Sequence, residues 1–306
     1  MKGIILAGGL NTRLYPVTQV VSKQLLPVYD KPMIFYPLSI LMLAHIRDIL
    51  IISTPRDTGL IEGLLGDGRQ LGLNIEYKVQ DQPRGIADAF IVGREFVNGE
   101  ACALVLGDNI LYGHNVYQVL DSAASRKTGA TVFGYEVHDP ERFGVVEIGE
   151  DGHALSIEEK PENPKSHWAI IGLYFYDENV CDVAARLAPS DRGELEITDI
   201  NKWYLEQGQL YVERLPRGFA WLDCGHPEAL QEASQFIHTI QKRQRYRVSC
   251  IEEIAYRMGF IDLPQLRTLA DAVGKSDYGR YLAQIADEAE AGPRAPLSRK
   301  PVPQRG

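Results

Sequence analysis

Cysteine is scarce and scattered: Cys102, Cys181, Cys224 and Cys250 are the only four in 306 residues, and no two form a C-x-x-C pair. Four reduced thiols are expected, which excludes a disulfide framework or a zinc site as the organising device. Nor do the seven histidines show an H-x-x-x-H spacing that would point to a metal-ligand set. No apolar run approaches the roughly 18 to 20 residues that span a bilayer, and the amino terminus has neither a basic segment nor a small-residue cleavage site. A cytoplasmic protein with no membrane partner is therefore expected. Cationic excess is missing too: 32 lysines and arginines face 41 aspartates and glutamates, a formal charge of −9. That balance argues against nucleic acid as a partner but still permits a local basic pocket, so the expected substrate is a small anion.

What is present is an ordinary globular composition, long enough to bury a substantial core as one large α/β domain or two smaller ones. Strand-length apolar runs at Ile49 to Ile52, Ile75 to Val79 and Ala103 to Leu106 alternate with helical segments at Ile34 to Ala44 and Ile86 to Phe96. That alternation predicts a Rossmann-like α/β fold, with a mostly parallel central sheet flanked by helices. From residue 130 the pattern changes to Ala130 to Tyr135, Gly144 to Ile148 and Ala169 to Tyr176, read as further strands, partly antiparallel and expected as an additional smaller sheet. Glu228 to Arg243 and Pro264 to Val273 predict C-terminal helices. The stretch 292–306, rich in proline and cations and without acids or aromatics, is expected to be a disordered tail.

The most informative stretch is the first. An apolar run, Gly3-Ile4-Ile5-Leu6-Ala7, breaks into Gly8-Gly9-Leu10-Asn11-Thr12-Arg13-Leu14, and Ser22-Lys23-Gln24-Leu25-Leu26-Pro27 follows. Two adjacent glycines let main-chain N–H groups approach an anion, Thr12 adds a hydroxyl, and the planar fork of Arg13 suits phosphate oxygens. A lone Gly-Gly would be read as a tight turn; Arg13 and Lys23 shift the balance to handling of a polyphosphate. Neither G-x-G-x-x-G nor the P-loop pattern fits, since Lys23 stands on a separate segment. Ligands of parallel α/β sheets bind beyond the carboxyl ends of the strands, which is where both Gly8-Gly9 and Gly107-Asp108-Asn109 would lie.

This N-terminal pattern resembles the sugar-1-phosphate nucleotidyltransferases, most closely the glucose-1-phosphate thymidylyltransferases, whose signature is L-A-G-G-x-G-T-R-L followed by S-K-Q-L-L-P. The resemblance continues in order, over about residues 1 to 290, through Gly107-Asp108-Asn109, Asp139-Pro140-Glu141-Arg142, Glu158-Glu159-Lys160-Pro161, Gly172 to Tyr176, Arg192 to Asp199 and Trp221-Leu222-Asp223. It implies transfer of dTMP from dTTP to glucose 1-phosphate, giving dTDP-glucose and pyrophosphate, the first step toward dTDP-rhamnose or other deoxysugars of polysaccharides. It implies Mg2+ as cofactor, with Asp108 and Asp223 as metal ligands, and a homotetramer. Carried over residue by residue, Arg13, Lys23, Asp108 and Lys160 are the catalytic set. Nucleotide contacts fall on Leu6, Gly8, Gly9, Asn11, Thr12, Arg13, Gln24 and Asp108, with Gln80 and Gly85 in the segment that reads the pyrimidine. Sugar-phosphate contacts fall on Gly144, Glu159, Lys160, Gly172, Arg192 and Glu194. The implied organisation is a core over 1–227, with a nucleotide-binding half at about 1–125 and a sugar-binding half at about 126–227, then a helical region over 228–291.

The chain departs from the family at several positions. Asn11 stands where the loop normally has glycine; asparagine tolerates a left-handed backbone best of the other residues, so weaker triphosphate binding or slower turnover is expected. Cys224-Gly225-His226 replaces Thr-Gly-Thr, and Ile171 replaces a threonine before Gly172; these changes either reshape sugar selectivity or are compensated packing changes. His45 replaces a glycine and Leu111 an aromatic, near segments around Tyr112-Gly113-His114, Arg217 and Glu253 to Arg257 that resemble the family's second nucleotide site, which puts end-product feedback in doubt. Two alternatives stay open: the same transfer with another base or hexose, and a catalytically impaired paralogue that binds sugar nucleotides. A nicotinamide oxidoreductase ranks below both, because the glycine spacing is wrong.

Overall fold

Four apolar runs pair in parallel at the centre of the molecule, in the spatial order Asn74–Val79, Asp48–Ser53, Lys2–Ala7 and Cys102–Leu106. They read as continuous hydrophobic runs because both faces are covered, so Ile4 and Ile5, or Leu50 and Ile51, are equally buried. Successive side chains alternate between two cores. Ile5, Ile51, Val105 and Phe175 meet Leu38 and Leu41 of the helix Phe35–Leu43 on one face. On the other, Ile4, Leu50, Leu104 and Tyr174 meet Phe90, Ile200 and Tyr204.

Beyond Cys102–Leu106 the sheet turns antiparallel through Trp168–Tyr176, which pairs with Ala130–Glu136 and Gly144–Ile148; Ala154–Glu159 and Leu210–Arg214 complete nine strands. The strands after residue 130 thus extend the central sheet, because Trp168–Tyr176 is buried on both faces and needs a neighbour on either side. The smaller antiparallel sheet is formed instead by Asn109–Tyr112 with Ala220–Asp223, in a register that sets Asn109 opposite Asp223. A second two-stranded pair joins Pro27–Val28 to Lys31–Pro32.

The computed structural model describes residues 1–9 and 12–292. Asn11, and the expected tail apart from Gly292, lie outside the described residues. The helix expected at Ile86 to Phe96 is broken at Gly93 into Asp88–Val92 and Arg94–Val97. The C-terminal region is helical as expected, over Pro227–Arg243, Ile251–Arg257, Leu263–Val273 and Asp277–Ala291. Asp262 and Ser276 cap the last two, accepting from Gln265 N at 2.9 Å and Gly279 N at 3.0 Å. Among the described residues no helix is long and apolar enough to cross a membrane.

Candidate functional site

Lys2–Ala7 and Cys102–Leu106 end side by side, where Gly107 N donates to Leu6 O at 2.9 Å. The glycine loop and Asp108 therefore leave the sheet at one point, beyond the carboxyl ends of neighbouring strands. Two adjoining cavities open there, of about 260 and 520 Å³, and share Ile86, Leu106, Glu159, Lys160 and Glu196 in their walls.

The smaller cavity brings together Leu6, Gly8 and Gly9 with Lys23, Gln24, Gln80, Gly85 and Asp108. Arg192 and Glu194 reach it from the second half of the chain. The larger is lined by Arg13, Gly144 and Asp223. Of the described residues expected at the site, Thr12 and Gly172 line neither cavity. Thr12 is exposed in the single turn Thr12–Leu14, and Gly172 lies behind the wall, donating its N–H to Asn109 Oδ1 at 3.0 Å.

Lys23 Nζ lies 2.5 Å from Asp108 Oδ2. Burial alone would push the Asp108 carboxyl up; the Lys23 ammonium, aided by the Asn109 amide, overrides it and holds the group below the ordinary carboxylate range. Burial likewise opposes the charge on Lys23, yet Asp108 and then Asp223 hold it above the ordinary ammonium value. For Asp223, delivered by the strand Ala220–Asp223, burial and then the Asp108 carboxylate outweigh Lys23, His226 and Arg13 and push it up to about 6.

A pair of mutually repelling carboxylates fits a divalent cation held by few protein oxygens and completed by substrate oxygens. No cluster of three or more His, Cys, Asp or Glu side chains able to hold a metal exists among the described residues.

On the opposite wall, Glu159 ends the strand Ala154–Glu159 and accepts from Thr198 Oγ1 at 2.6 Å, with Arg192 Nη2 at 3.6 Å and Lys160 Nζ at 3.8 Å. Lys160 has a φ of 44°, a left-handed conformation that is uncommon outside glycine and turns the chain sharply after Glu159. Gly85 has a firmer requirement: its φ is 106°, and an added Cβ would sit 2.3 Å from Leu195 O. Leu195 N donates to Arg84 O at 2.7 Å and Leu195 O accepts from Ala87 N at 3.1 Å, so this glycine seams the two halves of the site together. Gly85→Ala should cost roughly 2–4 kcal/mol and raise the KM for nucleotide; a urea midpoint equal to that of the wild type would refute the seam.

Asn109 and Thr198 escape a reading of single residues. Asn109 Oδ1 accepts from Gly172 N and from Trp221 Nε1 at 2.7 Å, while its Nδ2 donates to Asp108 Oδ1 at 3.1 Å. One amide therefore ties the Asp108 loop to both the strand Trp168–Tyr176 and the strand that ends at Asp223.

Two of the departures near the site, Cys224 and Ile171, turn their side chains into the core. Cys224 is fully buried among Val28, Ile110 and Ile237, and Ile171 among Leu38 and Leu41, so neither side chain faces the cavities. His226 caps Pro227–Arg243, accepting from Ala229 N at 3.4 Å, as a threonine hydroxyl can. His45 has a φ of 60°, the conformation that favours the glycine it replaces. Tyr112, Gly113, Glu253 and Arg257 line a separate cavity of about 320 Å³ together with Leu111; Arg217 is not in its wall.

This combination of a glycine loop at a strand end, buried carboxylates and flanking cations is that of a nucleotide-transferring enzyme, and the sequence profile described as nucleotidyl transferase matches residues 2–240. The chain belongs to that family, whose chemistry employs a divalent metal. Within it the chain falls among the glucose-1-phosphate thymidylyltransferases. It is 59% identical over 285 residues to the enzyme of that name from Xanthomonas campestris pv. campestris, covering 93% of this chain and 97% of the other. The one from Mycobacterium tuberculosis is 53% identical over 287 residues, covering 94% and 99%. Among solved structures, a putative glucose-1-phosphate thymidylyltransferase from Bacillus anthracis, in complex with a sucrose, superposes with a TM-score of 0.72 at 42% identity, covering 77% of this chain and 94% of that one. A UDP-glucose pyrophosphorylase complexed with UDP-glucose matches with a TM-score of 0.68 at 25% identity, covering 79% and 99%.

Proposed function

We propose that the protein transfers dTMP from dTTP to glucose 1-phosphate, releasing pyrophosphate and giving dTDP-glucose. The carrying observation is the junction of the two cavities, where Lys23, Arg13 and Lys160 stand around Asp108 and Asp223. Two polyanions must meet for this reaction, and neither needs a covalent bond to the protein. A sugar-phosphate oxygen attacks the α-phosphorus and the bond to pyrophosphate breaks on the opposite side.

In this reading the amides of the glycine loop and Thr12 cradle the triphosphate, and Arg13 and Lys23 neutralise the charge passing to pyrophosphate. Lys160 and Arg192 hold the sugar phosphate, and Glu159, fixed by Thr198, accepts from hexose hydroxyls beside Gly144 and Glu194, with Gly172 backing the wall. Leu6, Gln24, Gln80 and Gly85 surround the nucleoside. Asp108 and Asp223 would hold Mg2+, which supplies charge neutralisation at the phosphates. We further propose a cytoplasmic homotetramer serving dTDP-rhamnose or deoxysugar synthesis for polysaccharides. Its organisation would be a nucleotide half at about 1–125, a sugar half at about 126–227 and a helical region at 228–291. The named relatives support the activity, and the assembly, location and organisation rest on the resemblance.

The test is pyrophosphate release from dTTP and glucose 1-phosphate with Mg2+, comparing the protein with Asn11→Gly. Turnover in both is expected, faster in the glycine variant by roughly fivefold to thirtyfold, a barrier difference of about 1–2 kcal/mol. Activity only after the substitution would favour the impaired, sugar-nucleotide-binding paralogue. Silence in both, with turnover of another nucleotide or hexose phosphate, would replace the substrate pair.

A further inference from the structure

Gln80 stands in the wall of the smaller cavity, and its Nε2 donates to Asp88 Oδ2 at 2.7 Å. Asp88 is 1% exposed, opens the helix Asp88–Val92 and has Arg84 Nε at 3.6 Å from the same oxygen. We propose that Asp88 is a positioning residue for base selection: it locks the Gln80 amide in one of its two orientations, so that the cavity accepts a pyrimidine with a protonated N3 and a C4 carbonyl and rejects one with a C4 amino group. The inference rests on the proposed role of Gln80 as the base contact.

A carboxylate offers only acceptors, so the end of the amide facing Asp88 must be the NH2. The Oε1 then turns to the glycine loop, where a Cβ added to Gly8 would lie 2.9 Å from it. This leaves Oε1 and the second N–H to read the base, matching an N3–H donor and a C4 carbonyl acceptor. A 4-amino pyrimidine in the same pose sets acceptor against acceptor and donor against donor. A free amide would flip by a half-turn and satisfy that base equally well. Flipping Gln80 would set its carbonyl against a buried carboxylate, and unpaired buried polar groups are what make such discrimination strong.

The experiment measures Kd and kcat/KM for dTTP and for dCTP in the wild type, Asp88→Asn, Asp88→Ser and Gln80→Ala. Asp88→Asn is isosteric and can face Gln80 with either its oxygen or its nitrogen; Asp88→Ser does the same if the asparagine variant folds poorly. Both are expected to lower the dTTP:dCTP ratio by roughly tenfold or more, chiefly through tighter dCTP binding, and Gln80→Ala to collapse it. The inference is overturned if Gln80→Ala collapses the ratio while both Asp88 variants keep it, or if those variants weaken both nucleotides equally. If Gln80→Ala leaves the ratio intact, the base contact itself is wrong, and the role of Asp88 falls with it.

Discussion

Lys23→Met is expected to lower kcat by roughly 10²–10³ and to cost about 3–5 kcal/mol of stability near neutral pH. The side chain stands between two roles: it is the closest cation to Asp108, at 2.5 Å, and it faces the glycine loop across the smaller cavity. Removing it leaves Asp108 buried with the Asn109 amide and its own backbone N–H as partners and Asp223 as a repelling neighbour. The pH dependence follows from the two shifts. Asp108 is held down, so its contribution is present above the ordinary carboxylate pKa and lost as pH falls through its lower folded value. Lys23 is held up, so its contribution is present below the ordinary ammonium pKa and lost as pH rises through its higher folded value. Urea midpoints of the variant and the wild type should therefore differ most between these limits and converge in strong acid. An offset that persists undiminished into strong acid, below the lowered Asp108 value, would mean the loss is one of packing.

Legibility in the sequence followed locality. The glycine loop, Lys23 and Asp108 could be read because each sits at the end of an apolar strand or within one short segment, and the parallel core because its strands are apolar on both faces. Asn109 and Asp88 were not legible, since their importance lies in partners that folding supplies: Asn109 reaches Gly172 and Trp221, and Asp88 gains meaning only through Gln80. Ile171 and Cys224 show the converse, since the sequence left open whether they face the site or the core. They neighbour expected site residues in sequence, but alternation along a strand and the turn after Asp223 send their side chains into the core. The partition of strands between sheets was not visible either. Periodicity shows that Trp168–Tyr176 is a buried strand, whereas its antiparallel partner Cys102–Leu106 is set by the whole fold.

Asp223→Asn should abolish turnover while making the metal-free protein more stable at neutral pH. Burial and the Asp108 carboxylate push Asp223 up to about 6, against an ordinary value near 4. The folded chain therefore binds more protons than the unfolded chain between those two values, and stability falls as pH rises through the window. Above it the ionised group is a standing penalty of about 3 kcal/mol at most, and roughly 1–2 kcal/mol once screening of a partly exposed site is allowed for. Asparagine has the same shape and no charge, so the gain should be full at pH 7.5, reduced to about a third at pH 4.5 and nearly gone at pH 3.5. The native repulsion is what a divalent ion relieves, so MgCl2 should raise the Tm of the wild type by linkage and leave the variant almost unmoved. A variant less stable than the wild type at pH 7.5, or one that Mg2+ stabilises equally, would remove Asp223 from the metal site. The turnover loss, roughly 10³-fold or more, would then need another cause. The predicted pairing of higher stability with lost activity distinguishes a ligand kept charged for function from a carboxylate kept for the fold.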